Sequence, residues 1–317
     1  MFPIFDTSKL SCKPLAERQH DLGLSVMVPM TPMKTVHPNL QIIAGEIKKA
    51  KHYGKAVILM MGAHVLRSGV QRYLIDLMEQ GYISGMAVNG ACAIHDFEFS
   101  LIGHTTESVA RYITEGQFGL WQEIGQINDI IKTGTAKSMG AGAALGRAIL
   151  EGEYPYKDFS IFAAGYRLKI PITVHVGIGY DIVFEHHECD GGAWGAASYK
   201  DFLHFTALLE AIEGGVVMNF GSAVMAPEVF LKALAMVRNV AKQENREIRR
   251  FKTLVSDIYP LPEDYAPEPK KDAPGYYFRP WKTMLIRTVA DGGKSYYVRL
   301  PHSESIPQLW TSLTTTL

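Results

Sequence analysis

The sequence predicts an α/β protein built on a doubly wound, mostly parallel sheet, Rossmann-like in type. Three observations predict it. Four short runs are apolar without alternating polar positions, the pattern of strands buried on both faces. Each run ends in a glycine-containing break, and helical patterns follow the breaks. Glycines at the carboxyl ends of parallel strands let backbone amides approach a ligand closely, and in such sheets ligands bind beyond those ends.

The elements follow in order. Residues 1–40 mix polarity and prolines and read as an arm packed on the domain or on a neighbouring subunit. Ala56 to Met61 is the first strand, broken by Gly62-Ala63. A helix is expected from Ser68, with Val70, Tyr73, Leu74, Leu77 and Met78 on one face. Gly85 to Val88 is the second strand, followed by the break Asn89-Gly90-Ala91-Cys92-Ala93 and a segment from Asp96 to Leu101. Ile170 to Val176 is the third, ending in Gly177-Ile178-Gly179. Gly215 to Asn219 is the fourth, ending in Phe220-Gly221-Ser222, with a helix from Pro227 to about Gln243. Tyr259 to Pro280 carries six prolines and reads as a lid, an interface loop or a disordered segment. Trp281–Val289 and Ser295–Leu300, flanking Ala290-Asp291-Gly292-Gly293, read as a hairpin. The organisation expected is one α/β domain over 1–317: arm 1–40, nucleotide-binding core 41–250, proline-rich loop 251–280, and C-terminal strands 281–317 completing the site.

Composition bounds the function. The 317 residues are 47% hydrophobic and 20% charged, as in a globular enzyme with a sizeable core. Thirty-two basic residues balance thirty-two acidic ones, so no electrostatic case for nucleic acid exists. No apolar run would span a bilayer, and the first residues lack the apolar stretch of a secretory signal. Cys12, Cys92 and Cys189 form no disulfide framework and fit reduced thiols, so a cytoplasmic protein is expected.

Several clusters invite chemistry. Gly140 to Gly146 suggests a dinucleotide fingerprint but lacks a preceding strand, so a small-residue helix to about Leu150 is expected. His175, Asp181, Glu185, His186, His187, Glu188, Cys189 and Asp190 supply metal-ligand types, yet their spacing matches no zinc pattern and no metal is assigned. Carboxylates without nearby Lys or Arg instead suit a cationic substrate. His64, His95 and His104 stand at or after strand ends and are candidates to touch a ligand. Lys282 beside Trp281 offers an amine that desolvation could make nucleophilic, with Lys294 as its competitor.

From about residue 56 to the end, the chain resembles the deoxyhypusine synthase family. The resemblance rests on Arg67-Ser68-Gly69-Val70, on Val88 through Asp96, on Ile170-Pro171 through Asp181 to His186, and on Gly215 to Gly221, in the family's order. Val176 stands where the family has an aspartate, and Trp281-Lys282 lacks its intervening glycine. The resemblance implies a homotetramer binding NAD, with Ala63, Ser68, Gly90, Ala91, Asp96, Gly177, Gly221 and Ser222 around the cofactor. It implies Asp181, Glu185 and Trp281 on a polyamine such as spermidine, and Lys282 as the imine-forming residue. The expected activity is then NAD-dependent aminobutyl transfer, with a protein lysine among the possible acceptors. Two alternatives stand beside it: a metal-assisted hydrolase of a cationic amine, and a non-catalytic nucleotide-binding protein of the same fold.

Overall fold

The computed structural model describes residues 2–315. Its strands are β1 (Leu22–Gly23), β2 (Val57–Met61), β3 (Gly85–Asn89), β4 (His104–Thr105), β5 (Ile172–His175), β6 (Val216–Phe220), β7 (Lys252–Ser256) and β8 (Lys294–Val298). Six of them form one sheet in the order β5-β3-β2-β6-β7-β8, every neighbour parallel. Counted along the chain, that is the 3-2-1-4-5-6 order of a doubly wound nucleotide-binding fold. Every residue of β2 and β6 is buried. β2 sends Val57, Leu59 and Met61 into one core and Ile58 and Met60 into the other, so helices cover both faces. This is why its run shows no alternation.

The four predicted strands are present, and the small-residue segment is the helix Ala141–Glu151. Its glycines serve packing: a methyl at Gly142 would overlap the Ile172 carbonyl. The helix expected from Ser68 is two pieces, His64–Arg67 and Gln71–Glu79, parted at Gly69, whose φ is +72°. The break after Val88 is in fact the first turn of a helix, Gly90–Ile102, capped by Asn89 Oδ1 accepting from the Cys92 amide at 3.2 Å.

The C-terminal region needs two corrections. The segment 251–280 is not all loop, because β7 occupies its first residues. The hairpin is absent: Trp281–Arg287 is a π-helical turn, and β8 pairs in parallel with β7. Trp281, Met284 and Leu285 are buried together at helical spacing, whereas the hairpin would have placed them alternately. The chain then closes on the helix His302–Thr314. The arm packs on its own domain through buried Leu15 and Arg18 and through β1, which pairs antiparallel with β4. Among the described residues no helix is long and apolar enough to cross a membrane.

Candidate functional site

The sheet changes winding direction between β2 and β6, and a crevice opens beyond their carboxyl ends. Two glycines make it possible. A side chain at Gly62 would overlap the Gly221 carbonyl, and Gly221 holds φ +61° with the His302 ring against it. The turn after β6 is locked by Asn219, whose Oδ1 accepts from the Ser222 amide at 3.2 Å while its Nδ2 donates to the Ser222 carbonyl at 2.9 Å. Gly62, Ala63, His64, Arg67, Asn89, Ala91 and His95 line the crevice with Tyr180 and the Gly221–Met225 turn, around about 390 Å³. Arg67 Nη1 lies 3.3 Å from His64 Nε2, and its buried Nε has no partner. Burial, then the Arg67 charge, lowers the pKa of His64, so its ring is neutral near pH 7.

A second hollow of about 200 Å³ adjoins the first, sharing Ala91, His95 and Tyr180. Arg18, Glu98, Thr106, Glu107 and Asp181 form its polar wall. Arg18 Nη1 donates to Glu98 Oε1 at 2.5 Å, both side chains almost wholly buried. Burial alone would push Glu98 up, but His95, 3.8 Å away, and the Arg18 charge and hydrogen bond hold its carboxyl down at about 2. Thr105 Oγ1 donates to Glu98 Oε2, so His95 Nδ1, 2.6 Å from that hydroxyl, must carry the proton of this contact. In the neutral ring Nε2 is then the free base, in a residue common to both hollows.

Three side chains of this wall carry a buried polar atom with no partner: Arg18 Nη2, Thr106 Oγ1 and Asp181 Oδ2. Three other hollows lie away from the crevice, one of about 440 Å³ beside β5, and among the described residues none of their lining side chains has such an atom. Since buried polar groups are nearly always paired, this convergence makes the inner hollow a candidate ligand site. Asp181 lies against Gly90 so closely that a methyl there would overlap its Oδ2. Burial raises the Asp181 carboxyl to about 6, partly opposed by the charge of His95.

The structure brings together part of the predicted set. Ala63, Ala91, Gly221 and Ser222 line the crevice, Gly90 abuts Asp181, and His64 and His95 face the hollows. Others lie elsewhere. Asp96 is buried under the helix Ile161–Leu168, accepting from Ser160 Oγ at 2.5 Å and the Ile161 amide at 2.9 Å, and burial raises its carboxyl to about 7. Ser68 donates to the His64 carbonyl, and Gly177 lies beneath the Tyr180 ring. Glu185 sits by Gly119 outside both hollows, where burial and then the Glu107 charge raise it to about 7. His104 is exposed and faces the His20 ring at 5.3 Å. Lys294 begins β8, at the opposite end of the strands.

Trp281 and Lys282 line neither hollow. Trp281 Nε1 donates to the Tyr265 carbonyl at 2.8 Å, and Lys282 Nζ stands 3.3 Å from the centre of the Tyr276 ring. The cluster from His175 to Asp190 also disperses. His175 contacts Thr173 and Phe205, whereas His186 turns to the Gly119 carbonyl and Cys12. Among the described residues no group of three or more His, Cys, Asp or Glu could hold a metal. Sequence reasoning missed Arg18, Arg67, Glu98, Thr106 and Glu107 as wall residues.

Residues 41–152 match the family model described as arginine dihydrolase ArgZ-like, C-terminal, Rossmann fold. No curated protein matches the chain. Among solved structures, the chain is similar to the arginine dihydrolase ArgZ of the ornithine-ammonia cycle in cyanobacteria, at TM-score 0.51 and 16% identity over 88% of this chain and 33% of that one. It is similar to a conserved putative LOR/SDH protein from Methanococcus maripaludis S2, at 0.51 and 17%, over 90% and 73%. It is also similar to AgrE in its ternary complex with ornithine and NAD+, at 0.52 and 14%, over 90% and 34%. The chain thus spans about a third of the length of ArgZ and AgrE. These likenesses establish a doubly wound Rossmann-like fold shared with proteins of the ArgZ type.

They correct the functional expectation. A putative deoxyhypusine synthase from Entamoeba histolytica stands at 0.49 and 9%, too low to carry an argument, and membership of that family is not confirmed. ArgZ and AgrE, among the proteins that do align, are described with arginine or ornithine and not with polyamines. Aminobutyl transfer from spermidine, a protein-lysine acceptor and the Lys282 imine are therefore not supported, and Lys282 lines neither hollow. The metal-assisted alternative falls with the dispersed cluster.

Proposed function

We propose that this protein is an NAD-dependent enzyme acting on an amino acid of the arginine–ornithine type, with NAD in the crevice and the amino acid in the inner hollow. The observation that carries the reading is the juxtaposition of the β2–β6 crevice with a hollow whose wall holds an unpartnered carboxylate and an unpartnered guanidinium nitrogen. AgrE, of similar fold, has been captured with ornithine and NAD+ together, which supports the pairing. The crevice suits a dinucleotide: Gly62 and Gly221 leave backbone unobstructed, Ala63 and Ser222 leave room, and Arg67 offers a free buried donor to a phosphate.

Bound NAD would accept a hydride from a carbon carrying an amine. This chain's part is to hold that carbon and manage charge. Asp181 binds an ammonium group in a site that excludes much of the water, where pairing counts for more. His95 stands between the two hollows with Nε2 free to take a proton as the amine is oxidised, its other nitrogen fixed through Thr105 to Glu98.

Calorimetry of the full chain tests the reading: NAD should bind, and L-ornithine or L-arginine should bind the NAD-loaded protein, with reduced cofactor appearing in absorbance. Absence of NAD binding at millimolar concentration overturns it.

A further inference from the structure

We propose that Arg18, from the arm, and Thr106, from the turn after β4, form a receptor for the ligand's carboxylate, so that the inner hollow selects zwitterionic amino acids over plain amines. The inference rests on the amino-acid reading above and specifies which end of the ligand meets which wall.

Arg18 is committed on two of its three nitrogens. Nη1 is held by Glu98, and Nε donates to His20 Nδ1 at 3.0 Å. Nη2 is equally buried and meets nothing. An unused guanidinium donor in a place without water is costly, and an acceptor oxygen from a ligand removes the cost. The Thr106 hydroxyl is the second unused donor in the same wall. Thr106 also holds φ +66°, a backbone state disfavoured for a β-branched residue. It is kept there by the arm: its carbonyl accepts from the Asp21 amide at 3.0 Å, beside the Leu22–Thr105 pairing. Local strain held in place by neighbouring structure is characteristic of binding sites.

Two donors in the wall of one hollow suit a carboxylate, which brings two acceptor oxygens. The charge of the wall sets the rest. Glu98 already compensates Arg18, and Asp181 lies in the same hollow, so an anion without an accompanying cation would be repelled. Glu107 is already engaged, its two oxygens accepting from the Gly119 amide and Trp121 Nε1. A polyamine would satisfy Asp181 and leave both donors empty. A ligand with carboxylate and ammonium groups satisfies all three orphaned atoms at once.

The test compares, by calorimetry on the NAD-loaded full chain, L-ornithine with 1,4-diaminobutane, which lacks the carboxylate, and 5-aminopentanoate, which lacks the α-amine. L-ornithine should bind about tenfold or more tightly than either. Thr106→Gly should fold well, glycine being at ease at this φ, and should weaken L-ornithine several-fold while leaving 1,4-diaminobutane unchanged. Arg18→Gln, its fold checked by circular dichroism, should weaken L-ornithine by about tenfold or more with the same indifference to the diamine. Equal affinity for L-ornithine and 1,4-diaminobutane in the unmodified protein overturns the receptor and leaves the amino-acid reading standing. If L-ornithine and L-arginine both fail to bind, that reading falls and the receptor with it.

Discussion

The crevice side of the molecule and the segment from Asp257 to Val298 treat their polar groups in opposite ways. Around β2, β3 and β6, buried donors and acceptors are left open: Arg18 Nη2, Arg67 Nε, Thr106 Oγ1 and Asp181 Oδ2 all face the two hollows. From Asp257 to Val298, no buried side-chain nitrogen or oxygen among the described residues lacks a partner. Trp281 donates to Tyr265, Tyr297 to Tyr259, Ser295 to Leu285, and Arg287 pairs with Glu268. The proline-rich loop is anchored to this belt near its two ends, Tyr259 stacking on Phe278 at 4.3 Å. A satisfied network supports the fold, whereas an unsatisfied one shows where the fold expects company.

The comparison breaks or sharpens at three substitutions. The largest effect belongs to Asp181→Asn. Removing a charge-assisted contact should weaken a cationic amino acid by about tenfold or more, read by calorimetry. The same change should raise the melting temperature above pH 6. Asp181 has a folded pKa raised to about 6, so its penalty is absent below the unfolded value near 3.8 and complete once pH exceeds the folded one. The unmodified protein therefore loses this component of stability as pH rises from about 4 to 7, and ligand affinity should fall as pH drops through about 6. A variant that both binds normally and melts lower would place Asp181 with the structural groups.

Asp96→Ala should do the reverse. Losing the acceptor for Ser160 and Ile161 should cost about 1–3 kcal/mol in chemical denaturation, with NAD affinity unchanged. A loss of NAD affinity without loss of stability would return Asp96 to the cofactor site.

The smallest effect is expected from Lys282→Met. It removes a cation from the Tyr276 ring, worth about 0.5–2 kcal/mol, and should leave both ligands' affinities untouched. Loss of turnover with intact binding would show that the belt reaches the chemistry after all.

These contrasts also explain what the sequence disclosed. The central strands were legible because double burial writes an unbroken apolar run, as in Val57–Met61 and Val216–Phe220. β7 was missed because it begins Lys-Thr after a charged stretch, and β8, expected at Ser295–Leu300, was mispaired because Asp291-Gly292-Gly293 imitated a hairpin turn. Within the candidate site, the breaks at Gly62 and Gly221 were read from their places at strand ends, whereas Ala91 and Asp181 came from the resemblance. Arg18, Glu98 and Thr106 were not, since they meet only when the arm crosses the domain to pair with β4. No local spacing encodes a contact between residues 18 and 98. The resemblance pointed correctly to the fold but misplaced Lys282, because the residues after β7 wind into a π-helical turn against the far core.

The strand order has a consequence for how the chain comes into being. β2 is zipped to β6 with Val57 beside Val216, so the chain must be made through Phe220 before the central pair can form. Until then β2 and β3 can pair only with each other, and β3 later with β5, while the other edge of Val57–Met61 stays bare. Five consecutive apolar residues on an open edge invite pairing with another nascent chain. The seam that later carries the crevice is thus the last part of the inner sheet to close, and the segment most in need of shelter while the protein is being made.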